Sequence, residues 1–453
     1  MGGGAQFLLR YARRPNVLVV CIDALRADRI GIGGSRWNLT PFIDGLAAAG
    51  TAWTNCSASS SWTKTAVASM LTGLHPFVHS VMDPENPLGP AVKPLQSVFG
   101  AAGYFTFCYQ TNPWLGEPEH GFQRNFDIFR FLSHNADKGN RIHVEGVGQE
   151  AYVGGFEVVR RMEGLARGLG RIGKPFFGYV HIMDVHHPHL PPPPYNALFS
   201  PPDSGGIPDA TLAVWYEGRG VPGGLASDPA KRARVIDLYD SCARMADDVT
   251  KGIVSLFGEA GLLDGTILVI CADHGEELFE HGRTGHAKTL YEEVLRIPVV
   301  LCGAGMPRGA VVDAPTRQID IAPTLLAAAG VKSAPLAGGG NVITGAGGSG
   351  GAANIAYLGK VHIEQKRSLT VYAPHVKLII DETPPPVRNE VYNLRQDPGE
   401  KADISADSES LRKELAERFD AEIAAVRGVA QEKTRVEMSP ESIEQLKALG
   451  YLN

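Results

Sequence analysis

Four runs of nearly unbroken apolar residues, at 16–22 (NVLVVCI), 175–182 (PFFGYVHI), 266–271 (TILVIC) and 297–302 (IPVVLC), limit what this chain can fold into. Runs this short and this apolar read as strands buried on both faces, the pattern of a mostly parallel sheet covered by helices. Open sheets of that kind bind ligands outside the carboxyl ends of their strands. Two of the runs lead there into acidic residues: Asp23 ends the first, and Asp273 with His274 follows the third. A carboxylate beside an imidazole on irregular backbone offers a divalent cation one hard and one borderline ligand. The same pair also reads as a turn-capping aspartate and a solvated histidine. His281, His286 and Lys288 crowd the residues that follow.

The rest of the chain supplies helices and loops around that sheet. TPFIDGLAAAG opens a short helix with Thr40 and Pro41 and closes it at Gly50. The Ser/Thr-rich stretch NCSASSSWTKTAVASMLTGLHP runs into a small-residue helix over 65–71, stopped by Gly73. A hydroxyl at such a helix start sits among unpaired backbone N–H groups, which favour a bound anion. The run at 175–182 continues into MDVHHPHLPPPPY, where Asp184, His186, His187 and His189 precede a rigid proline segment. These three loop histidines read as solvated rather than as ligands. Residues 196–224, rich in Pro and Gly, read as irregular. At 228–260 an amphipathic helix is expected, its stripe of Val235, Tyr239, Cys242, Ala246, Val249, Ile253 and Leu256 facing the core. A second helix follows Asp320. The Gly-rich segment 336–353 reads as a flexible loop, and the short alternating runs after it as a small antiparallel sheet. Helices over 408–426 and in the final SPESIEQLKALGYLN complete the chain.

Composition narrows the partners. The chain has 453 residues, a net charge of −6 and no Lys/Arg run, so bulk electrostatics do not call for nucleic acid and an anionic substrate must be met locally. Cys21, Cys56, Cys108, Cys242, Cys271 and Cys302 contain no CxxC pair and read as buried free thiols. No run of about 18 apolar residues marks a membrane span, and the start MGGGAQFLLRYARRP has no apolar core of signal-peptide length. The expectation is a soluble, cytoplasmic protein, or a periplasmic or extracellular one if a leader has been removed; its oligomeric state is left open.

RPNVLVVCIDALRADRIG, TPFIDGLAAAG, TKTAVASMLTGLHP, GFQRNFDIF, FFGYVHIMDVHHPHLPPPPY, ADHGEELFEHG, GHAKTLYEEVLRIPVVL, DIAPTLLAAAG, VYNLRQDPGEKADIS and the final LKALGYL stand in the order and spacing of one family. Through these blocks the chain resembles the sulfatase family of the alkaline phosphatase superfamily over nearly its whole length. The resemblance implies an α/β architecture. A large domain at 1–335 carries a mostly parallel sheet flanked by helices, 336–353 is a flexible loop, and 354–453 forms a small α+β subdomain with an antiparallel sheet. It also implies a metal-dependent ester hydrolase.

By position, Asp23, Asp273 and His274 resemble the family's metal ligands. Setting Thr72-Gly73 on the end of the sulfatase signature brings Thr63 to the nucleophile position, in place of the cysteine that sulfatases oxidise to formylglycine. Thr65, Ala66 and Val67 replace the signature's Pro, Ser and Arg, and Ala24 stands where many sulfatases carry a further metal-binding aspartate. Cys56 resembles a modification site but lies seven residues early and lacks the arginine. A threonine alkoxide suits phosphoryl transfer better than sulfate release by hemiacetal collapse, and a bound metal would activate it. The implied site has Thr63, His181 and His286 as catalytic groups, with Lys64, Asp184 and Lys288 binding substrate; His79 is a weaker candidate than Lys64. Its metal set is Asp23, Thr63, Asp273 and His274, which leans towards manganese or zinc without excluding calcium or magnesium. A second metal on His181, Asp184 and His286 is an alternative. The implied activity is hydrolysis of phosphate mono- or diesters or phosphonate esters. The alternatives are a sulfate-ester hydrolase, a phosphotransferase moving a head group to a lipid or sugar, and an inactive relative that binds an anion.

Overall fold

The computed structural model describes residues 14–35, 37–132, 141–143, 150–216, 227–332, 339–341, 353–359, 366–371, 375–382, 388–427, 435–436, 438–440 and 443. In chain order the elements used below are β1 (Asn16–Ile22), α1 (Pro41–Ala49), β2 (Thr51–Ser57), α2 (Thr63–Thr72), β3 (Phe105–Gln110), β4 (Ile128–Phe131), α3 (Gly155–Ile172), β5 (Phe176–Ile182), α4 (Pro229–Glu259), β6 (Thr266–Cys271), β7 (Arg296–Gly303) and β8 (Ala310–Val312). These strands form one sheet in the order β8-β2-β7-β6-β1-β5-β3-β4, with Thr316–Arg317 paired to β2. The pairs β6-β1, β1-β5, β5-β3 and β3-β4 are parallel; β7 alone runs against its two neighbours, β6 and β2. The expected mostly parallel sheet is therefore present.

β1, β5 and β6 occupy its centre because their side chains are apolar on both faces, and each fully buried Val, Leu or Ile there contributes roughly 1.5–3 kcal/mol. Close packing also fixes Gly178 in β5. A Cβ there would lie 2.2 Å from the Phe107 ring of β3. The long helix α4 starts where Asp228 accepts hydrogen bonds from the N–H groups of Ala230 (3.0 Å) and Lys231 (3.3 Å), with Pro229 in the first turn. Its expected stripe is buried, apart from the half-buried Leu256. Within the segment expected to be irregular after residue 196, Asp209–Tyr216 is helical. Its first residue, Asp209, pairs with the buried Arg234 of α4 at 2.6 Å. Among the described residues no helix is long and apolar enough to cross a membrane.

After Ile321–Ala328 (α5), the strands β9 (Ala353–Leu358), β10 (Lys366–Val371), β11 (Val376–Asp381) and β12 (Arg388–Asn393) form an antiparallel meander. Three of these strands were expected; β12 was not. Helix α6 (Glu409–Arg427) packs Leu415, Phe419 and Ile423 onto Ile355, Leu378 and Val391. Most of the Gly-rich 336–353 segment and of the final helix lies outside the described residues.

Alternation along β11 turns Lys377 away from that small core and towards the large sheet. Its ammonium lies 3.0 Å from Glu292 and 2.8 Å from Glu400, and the lysine and Glu400 are fully buried. Burial works against the ammonium, but the two carboxylates hold its pKa above the usual lysine value. Lys377→Met would leave two buried carboxylates facing each other. A loss of roughly 3–5 kcal/mol is expected, read as a lower urea midpoint, with partial recovery in Lys377→Met/Glu292→Gln. An unchanged midpoint would rule out a structural contribution from the trio.

Candidate active site

The carboxyl ends of β6, β1, β5 and β3 lie side by side, and each delivers a polar residue to one buried place. Asp23 follows β1, Asp273 comes two residues after β6, His181 is next to last in β5, and Asn112 comes two residues after β3. Register brings Cys21 opposite both His181 and Cys271, and Gln110 opposite His181. Ala24 then takes a positive φ of 60°, unusual for alanine. That turn aims its N–H at Asp273 Oδ1 at 3.1 Å, and Tyr239 holds it by donating to the Ala24 carbonyl at 2.7 Å.

Each carboxylate uses one oxygen and keeps one. Asp23 Oδ2 accepts from Asn112 Nδ2 at 2.7 Å and from His181 Nε2 at 2.9 Å. Asp273 Oδ1 accepts from the N–H groups of Ala24 and, at 2.9 Å, His274. Asp23 Oδ1 and Asp273 Oδ2 are buried and have no hydrogen-bond partner among the described residues. His274 Nδ1 lies 2.8 Å from the Gly275 carbonyl, which can only accept, so Nδ1 carries the proton and Nε2 keeps its lone pair. Nε2 lies 3.7 Å from Asp23 Oδ1, 3.5 Å from Asp273 Oδ2 and 3.2 Å from Thr63 Oγ1. Two orphaned carboxylate oxygens, one imidazole lone pair and one hydroxyl thus converge. Buried polar atoms are rarely left unsatisfied, and a divalent cation fits this donor set.

Charge in the group is correspondingly uneven. Burial favours protonation of both carboxyls; His186, His181 and His274, when protonated, outweigh it and hold Asp23 below its ordinary value. Asp273 is raised, by burial and then by the Asp23 charge.

Thr63 is the first residue of α2, where N–H groups lack helical partners. Asn112 Nδ2 reaches its hydroxyl at 3.4 Å. Cys56, by contrast, is buried within β2, paired with Ile297 and Thr316, and burial raises its thiol well above the usual value.

The structure brings Thr63, His181 and His286 into the neighbourhood of Asp23, Asp273 and His274; the His286 ring is 4.5 Å from that of His274. Other candidates have polar partners of their own. Lys64 donates to the Pro84 carbonyl at 2.6 Å and lies over Trp114, its pKa lowered by burial to about 7. Asp184 accepts at 3.0 Å from the Gly155 N–H at the start of α3. Lys288 donates to the Thr284 carbonyl at 3.0 Å, His79 engages Ser69 at 2.9 Å, and His281 lies between Glu293 and the Glu400 carbonyl. Among the described residues, His181, Asp184 and His286 do not form one metal-binding group: His181 lies with Asp23 and Asp273, and His286 with His186 and His187. His186, His187 and His189 are not solvated but buried, since their loop folds inward beside the strand ends. Burial and the charges of neighbouring rings lower His286 well below the usual imidazole value.

Sequence reasoning missed Asn112, Glu276, which faces His286 Nδ1 at 3.2 Å, and Gln318, which ties the Asp273 carbonyl to the Ser59 N–H. Asn112 was within reach of the strand-end rule, since it follows the apolar run FTFCYQ.

The family profile described as Sulfatase matches residues 15–331. The chain is 23% identical over 332 residues to the ulvan-active sulfatase of Formosa agariphila, a match covering 70% of this chain and 62% of that protein, less than two thirds of its length. It is 25% identical over 381 residues to the multifunctional alkaline phosphatase superfamily protein PehA of Trinickia caryophylli, covering 69% and 73%. The fold is similar to the phosphonate monoester hydrolase of Agrobacterium radiobacter, with a TM-score of 0.74 and 20% identity over 91% of this chain and 96% of that one.

Proposed function

From the premise that the chain belongs to the sulfatase family, we propose that it is a metal-dependent hydrolase of phosphate mono- or diesters, or of phosphonate esters, with Thr63 as nucleophile. One observation carries the reading: the Thr63 hydroxyl stands 3.2 Å from His274 Nε2, beside two carboxylate oxygens that have no other partner. A divalent cation held by Asp23, Thr63, Asp273 and His274 would lower the pKa of that hydroxyl and polarise an ester oxygen. Manganese and zinc suit three oxygens and one nitrogen; calcium and magnesium would need added water ligands.

Thr63 Oγ then attacks phosphorus as the bond to the leaving oxygen breaks, and that oxygen takes up a proton. Water attacks the phosphothreonine, the Thr63–phosphorus bond breaks, and the hydroxyl regains its proton. His181 acts through Asp23, holding its outer oxygen while Tyr179 fixes the far side of the ring at 2.9 Å. Asn112 bridges Asp23 and Thr63. The His286 ring, 4.5 Å from that of His274, would stand beside the reacting group. Lys64 and Lys288 would join substrate binding only by leaving their present carbonyl partners, as Asp184 would by leaving Gly155.

A sulfate-ester hydrolase is the second reading, favoured by the family profile and by the ulvan-active sulfatase. It needs a route for breaking a threonine sulfate that formylglycine chemistry does not supply here. The test is turnover of matched aryl phosphate diester, phosphate monoester, phosphonate and sulfate by metal-stripped protein reloaded with manganese, zinc or calcium. Phosphorus esters are expected to turn over faster than sulfate, and only with metal. Dominant sulfate turnover sinks the phosphoesterase reading.

A further inference from the structure

β2 ends at Ser57 and α2 begins at Thr63, so the backbone over 58–61 has neither ladder nor helix of its own. Its four residues are buried, and buried backbone groups must find partners elsewhere. They find them in distant parts of the chain. The Ala58 N–H donates to the Leu295 carbonyl at 2.7 Å, and the Ser61 carbonyl accepts from the Ala287 N–H at 2.9 Å. The Ser59 N–H donates to Gln318 Oε1 at 3.0 Å. From β9, the Asn354 amide donates to the Ala58 carbonyl at 3.1 Å and the Tyr357 N–H to the Ser59 carbonyl at 2.9 Å. Tyr357 also meets Phe77, just beyond the C-terminal end of α2, with ring centroids 5.2 Å apart. β9 thus braces the nucleophile helix at both ends. Register explains Gln318: Thr316 and Arg317 pair in parallel with Cys56 and Ser57, so the next residue runs alongside the end of β2. Its turn is fixed by Asp320, which accepts from the Arg317 guanidinium at 2.8 Å and from the Arg317 N–H at 2.9 Å. Gln318 uses both ends of its amide, because Nε2 donates to the Asp273 carbonyl at 2.7 Å. One buried side chain therefore spans the strand end bearing Asp273 and the loop that delivers Thr63.

We propose that Gln318 and Asn354 are positioning residues: they hold the 58–61 loop in one place relative to Asp273 and so set where the Thr63 oxygen stands when it attacks. Neither touches the reacting atoms, and the role rests on the reading of Thr63 as nucleophile. The two elements they fix meet at His274 Nε2, which lies 3.2 Å from Thr63 Oγ1 and 3.5 Å from Asp273 Oδ2. Without the Gln318 amide, the Ser59 N–H and the Asp273 carbonyl lose a buried partner, and the loop shifts to recover one. A misplacement of about 1 Å in a reacting group costs roughly 100-fold in rate. Through Asn354 and Tyr357, the small subdomain is part of the framework that aims the nucleophile.

The test is Gln318→Met, which keeps the side chain's length but not its amide. Manganese content and circular dichroism are expected to be unchanged and KM to move less than about 3-fold, while kcat falls roughly 10–100-fold. Hydrogen exchange of the Ser59 N–H should quicken, a readout independent of activity. In a Thr63→Ala background the same substitution is expected to lower residual turnover less than about 2-fold, since a residue acting through Thr63 has nothing left to position. Unchanged kcat, an equal loss in both backgrounds, or loss of metal along with kcat overturns the proposal. Should Gln318→Met not fold, Asn354→Ala removes the amide contributed by β9; it is expected to lower kcat about 10-fold with metal and KM held, and full kcat there overturns the proposal equally. Full kcat in Gln318→Met beside an inactive Thr63→Ala would sink the positioning role and leave the proposed function standing, whereas full turnover in Thr63→Ala alone would sink the nucleophile reading itself.

Discussion

Thr63→Ala is expected to lower kcat for the preferred ester by at least about 1,000-fold, with far-UV circular dichroism unchanged and most of the metal at the Asp23–Asp273–His274 site retained. The loss is large because the hydroxyl has two roles, as the group that bonds to phosphorus and as one ligand of the activating cation. Retention of metal follows from what remains: two buried carboxylate oxygens and the His274 lone pair still converge. Thr63→Ser separates the roles from packing. It keeps the oxygen, removes one methyl from a fully buried position, and is expected to retain activity within roughly 10-fold, with a small fall in stability from the lost methyl. Trapping the reaction with acid should leave phosphate on residue 63 in the wild type and in Thr63→Ser, detectable as a mass increase on the peptide. Full turnover in Thr63→Ala would move the nucleophile elsewhere, whereas loss of both activity and metal would make Thr63 primarily a ligand.

Much of the scaffold was legible because it rests on local apolar pattern. The runs at 16–22 and 266–271 became strands with those bounds, since residues apolar on both faces have nowhere to go but the sheet centre. Asp23 and Asp273 followed from the strand-end rule. The same rule was not enough for Asp184, another carboxylate just beyond a strand, because its use depends on the Gly155 N–H contributed by a separate helix. Asn112 shows the converse: an amide carries no charge to draw attention, yet it bonds both Asp23 and Thr63. The histidines after β5 were misjudged for a third reason. Burial of a loop residue is decided by the path of the loop and by what lies opposite it, here His286 from a segment about a hundred residues later in sequence. The helix at Asp209–Tyr216 was hidden likewise, its first turn tied to Arg234 of α4.

Asp273→Asn is expected to stabilise the protein in EDTA while abolishing its stabilisation by metal. In the absence of a cation, Asp23 Oδ1 and Asp273 Oδ2 are buried and unpartnered, and two neighbouring carboxylates repel. An asparagine oxygen can keep the bonds from the Ala24 and His274 N–H groups, while its amide replaces the orphaned oxygen with a donor facing Asp23. Relieving one such buried group contributes roughly 1–3 kcal/mol, so the metal-free variant should melt above the metal-free wild type. With metal the order reverses. A cation at about 100 times its dissociation constant stabilises the wild type by roughly 2.7 kcal/mol. The variant loses one anionic ligand, should bind the ion far more weakly, and gains almost nothing; ester turnover falls with the bound metal. Thermal melts of both proteins in EDTA and in manganese or zinc therefore give curves that cross in order, a result that general loss of packing cannot produce. If the variant melts below the wild type in both conditions by the same amount, the carboxylate pair is structural and the cation belongs elsewhere. The crossing, by contrast, would identify these two oxygens as a site that is unfavourable until it is filled.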